Sequence, residues 1–260
     1  MNNNTTNADM DSFDLYTVHV MAYFLRQNAQ PEDLDEVIEF LRKLKLDHYS
    51  LSEKIKVLEN NINIDTKTGL LKYKENYLEN VVKTASRALT GKSGSEYRVC
   101  YIRLDIDNFS VFNNKYGHDI GDKVLHNTAT VIKDSTRPTD YCIRFGGEEF
   151  DVMLPHTDIK GAIVVLDKIM TAIRASRILY STEELSVTAS AGVSVVTIAL
   201  SDLTSISSTE MQTVYHNLQR EADNALYDAK FSGKNTYRIY DDTKREEYAR
   251  IRKKYVDSGK

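Results

Sequence analysis

The sequence predicts an α+β fold, one mixed sheet with helices packed on it behind an N-terminal helical extension, and three features carry that expectation. Between residues 62 and 240, apolar runs of strand length alternate with segments of helical periodicity. Two short apolar runs, Tyr141–Phe145 and Phe150–Leu154, flank Gly146-Gly147, which is the pattern of a tight β-hairpin. Upstream, apolar residues at alternating steps of four and three mark a long helix before a polar break.

Taken in order, residues 1–12 are polar and expected to be disordered, and Asp14–Arg26, with Leu15, Val18, Met21 and Leu25, reads as a first helix. Pro31 opens a second helix, where its missing N–H costs nothing, and Glu32, Asp33, Asp35 and Glu36 suit the positive end of the dipole. Its seam runs Val37, Leu41, Leu44, His48, Leu51, Ile55, Leu58, Ile62, broken only by His48. That stripe serves a coil between two chains or a self-contained bundle equally well. Residues 1–61 are therefore read as a helical region with a dimerising or regulatory role, and Asn60–Thr68 as a linker.

A helix is expected over 73–90, then a central strand Val99–Ile106, a loop, and a helix from Ile120 to Lys133. After the hairpin come a helix over 158–175, a strand over 186–197, a Ser/Thr-rich loop over 201–210, a helix from Met211 to Ala229 and a strand over 236–240. This order gives residues 62–240 a ferredoxin-like kernel. Residues 241–260 form a charged tail, with Tyr248, Ile251 and Tyr255 spaced as one small helical face.

Composition narrows the function. With 41% hydrophobic and 28% charged residues the chain affords a globular core. A net charge of −4 offers no general attraction to a nucleic-acid polymer or an anionic membrane, so a small anion must be held by a few placed cations and a metal. Cys100 and Cys142 sit in strand-like runs and read as reduced core thiols of a cytoplasmic protein. The start MNNNTTNADMD has no basic-then-apolar pattern, and no run reaches the roughly 18 apolar residues of a membrane span, so neither leader nor span is expected.

Carboxylates cluster where the strands should end. If the strand through Leu104 persists, Asp105 and Asp107 share a face with Ile106 turned inward. The turn Gly146-Gly147-Glu148-Glu149 adds two more, and Mg²⁺ takes just such oxygen ligands together with phosphate oxygens. Either segment alone is an ordinary acidic turn.

Together they resemble the GGDEF family of diguanylate cyclases, Arg144-Phe-Gly-Gly-Glu-Glu-Phe150 being its GGEEF variant. The likeness covers about 62–240 and includes Asp65-x-x-Thr68-Gly69-Leu70, Asp105-Ile106-Asp107-Asn108-Phe109, Phe112-Asn113-Asn114-x-Tyr116-Gly117-His118-x-x-Gly121-Asp122, Ser190-x-Gly192-Val193, and Ala225-Leu226-Tyr227-x-Ala229-Lys230-x-x-Gly233-Lys234-Asn235. Departures from the usual pattern are Lys67 for Leu, Lys72-Tyr73 for Asn-Arg, Ser110 for Lys, Asn114 for Asp and Lys234 for Arg.

The resemblance implies a nucleotide-cyclase-like sheet and condensation of two GTP into cyclic di-GMP across a homodimer, each 3′-hydroxyl attacking the other α-phosphate and pyrophosphate leaving. It implies Asp105 and Glu148 as side-chain metal ligands with the Ile106 carbonyl, for Mg²⁺ or alternatively Mn²⁺. Glu149 would assist a second metal or deprotonate the 3′-hydroxyl, and Gly146 and Gly147 would lie against the triphosphate. Lys230 and Lys234 would grip the β- and γ-phosphates, Lys234 without the flat fork of an arginine. Asn113 and Asp122 would read guanine, since a carboxylate accepts from N1–H and the 2-amino group, a donor pair adenine lacks. Arg137-Pro-Thr-Asp140 resembles an inhibitory product site, Arg137 binding phosphate and guanine and Asp140 accepting from the base.

Asp107 and His118 are read as structural, Arg144 as a turn organiser, and Arg103 as facing solvent or a partner. Three competing readings remain open: a catalytically silent cyclic di-GMP receptor, a cyclase of relaxed purine choice, and a scaffold.

Overall fold

The computed structural model describes residues 31–89, 96–199 and 201–257, so the helix expected over Asp14–Arg26 lies outside the described residues. The chain divides into two units at Asn63/Ile64. The first contains α1, Pro31–Asn63, which runs through the start of the expected linker. The true stop is a turn just beyond it, closed by hydrogen bonds from Asp65 N to Leu70 O and from Gly69 N to Asp65 O, with Gly69 at φ +69°. Along α1, Phe40, Leu44, Leu46, Tyr49 and Leu51 are exposed.

The second unit is built on a six-stranded mixed sheet, in the order β1-β3-β4-β2-β7-β8. Its strands are β1 (Leu71–Lys72), β2 (Glu96–Ile106), β3 (Tyr141–Gly146), β4 (Glu149–Pro155), β7 (Ala189–Ala199) and β8 (Tyr237–Ile239). β1 with β3 and β7 with β8 are parallel, and the remaining pairs are antiparallel. Helices α2 (Tyr77–Leu89), α3 (Phe109–Tyr116), α4 (His118–Ser135), α5 (Ile159–Ala175) and α6 (Ser208–Phe231) surround it, and β5 (Ile178–Tyr180) and β6 (Glu183–Leu185) form a separate small hairpin.

Strand periodicity sorts β2 between two cores. Cys100, Ile102, Leu104 and Ile106 join one with α4 and α5, while Tyr97, Val99 and Tyr101 join another with α2 and α6. Because Arg103 and Asp105 follow the odd-numbered face, the strand delivers these two charged side chains beneath α6. At Gly192 a Cβ would collide with the Ala222 carbonyl, so only glycine lets α6 lie this close to β7. Cys100 and Cys142 are both buried free thiols, and burial pushes the Cys100 pKa up to about 12.

Several elements were not anticipated. The expected loop after β2 is helix α3, anchored by buried Phe109 and entered through Asn108 in the left-handed region. The Ser/Thr-rich loop is shorter than expected because Ser207 and Glu210 make a reciprocal capping box that starts α6 at Ser208. The tail does fold into a helix, α7 (Arg245–Asp257), with Tyr248 and Ile251 buried as it packs on α6. No helix among the described residues is long and apolar enough to cross a membrane.

Candidate active site

The end of β2 gathers the charged groups. In the register with β4, Arg103 lies opposite Asp151 and Asp105 opposite Glu149, so two cross-strand pairs occupy one face. Ile106 N donates to the Glu148 carbonyl at 3.3 Å, which seats the Gly-Gly-Glu-Glu turn beside the strand end. The strand stops at Ile106, so Asp107 does not continue the face of Asp105. Its carboxylate instead accepts from Thr188 Oγ1 (2.7 Å), Ser190 Oγ (2.7 Å) and Asn235 N (2.9 Å). Asp107 thereby ties β7 and the turn after α6 to the end of β2.

That turn is Gly233-Lys234-Asn235, all three at positive φ (107°, 64° and 49°). It brings Lys234 Nζ to Asn108 Oδ1 at 2.5 Å, while Lys230 Nζ reaches Asp105 Oδ2 at 2.7 Å. Both lysines therefore stand at the acidic strand end. Burial, and then the charges of Glu148 and Glu149, raise the Asp105 pKa to about 6 against the pull of Lys230. Burial likewise raises Glu149, opposed by Arg103 and Lys230.

No group of three or more His, Cys, Asp or Glu that could hold a metal occurs among the described residues. Asp105 and Glu148 would supply only part of a shell, which suits Mg²⁺, an ion that takes one or two carboxylates and completes its octahedron with phosphate oxygens and water. Asp105 already accepts a cation, the Lys230 ammonium, and a dication would offset the burial and the carboxylate repulsion that raise its pKa.

Arg103 does not face solvent, contrary to the sequence expectation. It is buried, donates through Nε and NH2 to both oxygens of Asp151 (2.9 and 3.0 Å), and lies over the Phe145 ring at 3.8 Å. Tyr101 and Gln219 extend the network, and Asp223 lies between Arg103 (4.0 Å) and Arg252 of α7 (3.2 Å). Sequence reasoning missed Asp151, Asp223 and Gln219. Asp151 alternates with apolar neighbours in β4, and Asp223 and Gln219 precede Lys230 on α6, which are weak signals.

On the other side of the hairpin, Arg144 donates to Gly147 O (Nε 3.2 Å, NH2 2.9 Å) and to Asp65 Oδ1 (2.9 Å). Burial would raise the Asp65 pKa, but hydrogen bonds from Thr68 and Arg144 hold it below the usual carboxylate range. The Asp65–Gly69 turn is thus locked to the Gly-Gly turn, and, chain neighbours aside, nothing among the described residues lies within 4 Å of where a Cβ on Gly147 would stand. Asn113 and Asp122 are also neighbours: the Asn113 amide sits over Gly121, with Oδ1 buried and without a hydrogen-bond partner among the described residues. Asp122 accepts from Lys67 Nζ at 2.8 Å through each oxygen.

Arg137 and Asp140 close their own turn, Arg137 N donating to Asp140 Oδ2 at 2.7 Å. Burial raises the Asp140 pKa despite that bond and the Arg137 charge. Arg137 lines a cavity of about 480 Å³ with Glu96, Arg98, His156, Thr157 and Asp158. Because Arg98 is at the start of β2 and Asp105 near its end, this cavity is roughly 23 Å along the strand from the acidic cluster, at about 3.3 Å per residue.

A mixed sheet of this order, with acidic and basic side chains converging where its central strand meets a Gly-Gly turn, defines a nucleotide-cyclase-like domain. The chain belongs to the GGDEF family: residues 62–236 match the diguanylate cyclase GGDEF domain. Diguanylate cyclase A of Treponema denticola is 37% identical over 134 residues, 52% of this chain and 33% of its own length. The GGDEF domain of DgcB from Caulobacter crescentus, in complex with c-di-GMP, superposes with a TM-score of 0.56 at 26% identity, over 69% of this chain and 94% of that one. Diguanylate cyclase SiaD from Pseudomonas aeruginosa, in complex with its activator SiaC, gives 0.53 at 27% identity, over 90% and 87%. The chain spans a third or less of the length of the first three curated relatives it matches (33%, 22% and 18%).

Proposed function

We propose that this chain is a diguanylate cyclase that condenses two GTP molecules into cyclic di-GMP and releases two pyrophosphates. The observation that carries the reading is the meeting of Asp105 with Glu148 and Glu149 at one strand end where Lys230 and Lys234 also arrive. A divalent cation held by Asp105, Glu148 and the Ile106 carbonyl would acidify the 3′-hydroxyl and offset charge on the phosphates. Lys230 and Lys234 bind the β- and γ-phosphates, and Gly147 leaves room for the triphosphate to approach the backbone. Glu149, made more basic by burial, takes the proton of the attacking hydroxyl. Asn113 and Asp122 hold guanine.

The product has twofold symmetry and each domain holds one such site, so two protomers must face each other for each 3′-hydroxyl to reach the other α-phosphate. The apolar residues exposed along α1 suit pairing of two copies of residues 1–61 as the means of holding that geometry. The chain given Mg²⁺ and GTP is expected to release two pyrophosphates per cyclic dinucleotide, at a rate rising faster than linearly with protein concentration. ATP is expected to give no product. A dimeric preparation that yields no cyclic dinucleotide from GTP refutes the proposal.

Product inhibition is proposed through Arg137 and Asp140. The distance between the cavity that Arg137 lines and the acidic cluster favours inhibition as a restraint on how protomers meet rather than a plug in the active site. Arg137→Ala is expected to leave the initial rate within about twofold while weakening inhibition by added product about tenfold or more, because a charge-assisted contact is lost. Progress curves with and without product measure both, and an unchanged inhibition constant would dismiss the site.

A further inference from the structure

Lys67 is a departure from the family's pattern that the structure places against Asp122. Its ammonium lies 2.8 Å from both oxygens of Asp122, yet the two side chains remain 54% and 44% exposed. An exposed pair of this kind adds little to stability, so folding does not account for its placement. The backbone of Lys67 is fixed on two sides. Asp65 Oδ1 holds Thr68 through N and Oγ1 and is itself held by Arg144, which also grips Gly147 O. On the α4 side, His126 Nδ1 lies 3.3 Å from the Lys67 carbonyl, one helical turn beyond Asp122.

We propose that Lys67 is a specificity-determining residue that donates to the C6 oxygen of a guanine held by Asp122. The proposal rests on reading Asp122 as the acceptor for N1–H and the 2-amino group. Lys67 bridges both oxygens of Asp122, so it gives up one of them when N1–H and the 2-amino group arrive, and because the C6 oxygen of guanine adjoins N1 on the same edge, the shifted cation then falls next to it. An ammonium has three donors and no acceptor, and can keep one hydrogen bond to Asp122 while giving another to that oxygen. Adenine presents an amino donor at C6, which the ammonium repels. Asn113 Oδ1, buried against Gly121, lacks a partner among the described residues. Guanine would meet complementary groups along its whole edge; adenine would meet mismatches at C6 and N1 and lack the 2-amino group.

The test is calorimetric titration of the full chain in Mg²⁺ with 3′-deoxy-GTP, which lacks the attacking hydroxyl, and with its 6-thio analogue, whose sulfur is a poorer acceptor. The unmodified chain is expected to favour the oxygen form roughly tenfold, the weight of a hydrogen bond from a charged donor. Lys67→Met should reduce that preference to within about twofold while moving the melting temperature by no more than about 2 °C, and Lys67→Arg should keep most of it. An undiminished preference in Lys67→Met overturns the proposal. So does tighter GTP binding in that variant, because Lys67 would then merely compete with the base for Asp122. Asp122→Asn separates the failures: if it leaves binding unchanged, the reading of Asp122 falls and takes Lys67 with it. If it weakens binding while Lys67→Met keeps the preference, Lys67 alone falls.

Discussion

Glu148→Gln is expected to lower the rate of cyclic di-GMP formation by about 10³-fold or more while the protein stays folded, since it removes transition-state charge stabilisation rather than packing. Glutamine keeps the size of the side chain but cannot bring a negative charge to the metal. Asp105 and Glu148 supply the side-chain part of the proposed metal shell, so losing one halves it. The expected effect on stability has the opposite sign. Glu148 and Glu149 both push the Asp105 pKa upward, the mark of unfavourable repulsion in the folded chain without a metal. Removing one of those charges should leave the melting temperature of the metal-free protein unchanged or slightly raised. Two measurements decide: product formation under saturating Mg²⁺ and GTP, and thermal unfolding with the metal chelated. Normal turnover would overturn the assignment of Glu148. Loss of turnover with a collapsed melting temperature would show that Glu148 holds the hairpin rather than the metal.

The sequence shows the acidic cluster because its parts lie in short local patterns. Asp105 ends an apolar run, and Glu148 and Glu149 follow a Gly-Gly turn, so their convergence needs only the ordinary pairing of a hairpin with its neighbouring strand. Lys230 and Lys234 were legible for a different reason: the motif around them resembles the family's. What surrounds the cluster was not legible. Arg103 looked like a misplaced polar residue because its partner, Asp151, lies 48 positions away and can be matched only once the β2–β4 register is known. The bond from Lys67 to Asp122 spans 55 positions and joins a turn to a helix, so no local pattern announces it. Helix α3 escaped notice because its eight residues bury only Phe109 and give too short a periodicity to read. Boundaries moved for local reasons, such as the capping box that starts α6 at Ser208.

Asp151→Asn is expected to destabilise the protein by about 3–5 kcal/mol, because it leaves the buried Arg103 cation without its two-oxygen acceptor. For a unit of this size that corresponds to a fall of roughly 6–20 °C in melting temperature. The pair is not required by stability as such. Replacing a buried ion pair with apolar residues of similar volume is often neutral or favourable, so Arg103→Met combined with Asp151→Leu should recover most of the loss. Activity should not return with it. Arg103 lies against Phe145 at 3.8 Å, next to the Gly-Gly turn, and its charge also pulls on Glu149 and Asp223. A methionine would fill the space but release Phe145 and leave the Glu149 pKa higher still, since burial raises it, Arg103 lowers it more than Asp151 raises it, and both charges are lost together. The double variant is therefore expected to melt near the unmodified protein yet turn over at least about tenfold more slowly, the range of a displaced catalytic geometry. Its rate should also rise at higher pH, as Glu149 needs more alkaline conditions to ionise. A double variant that regains both stability and rate would mean that the buried pair only fills the sheet, and that the hairpin holds its carboxylates without it.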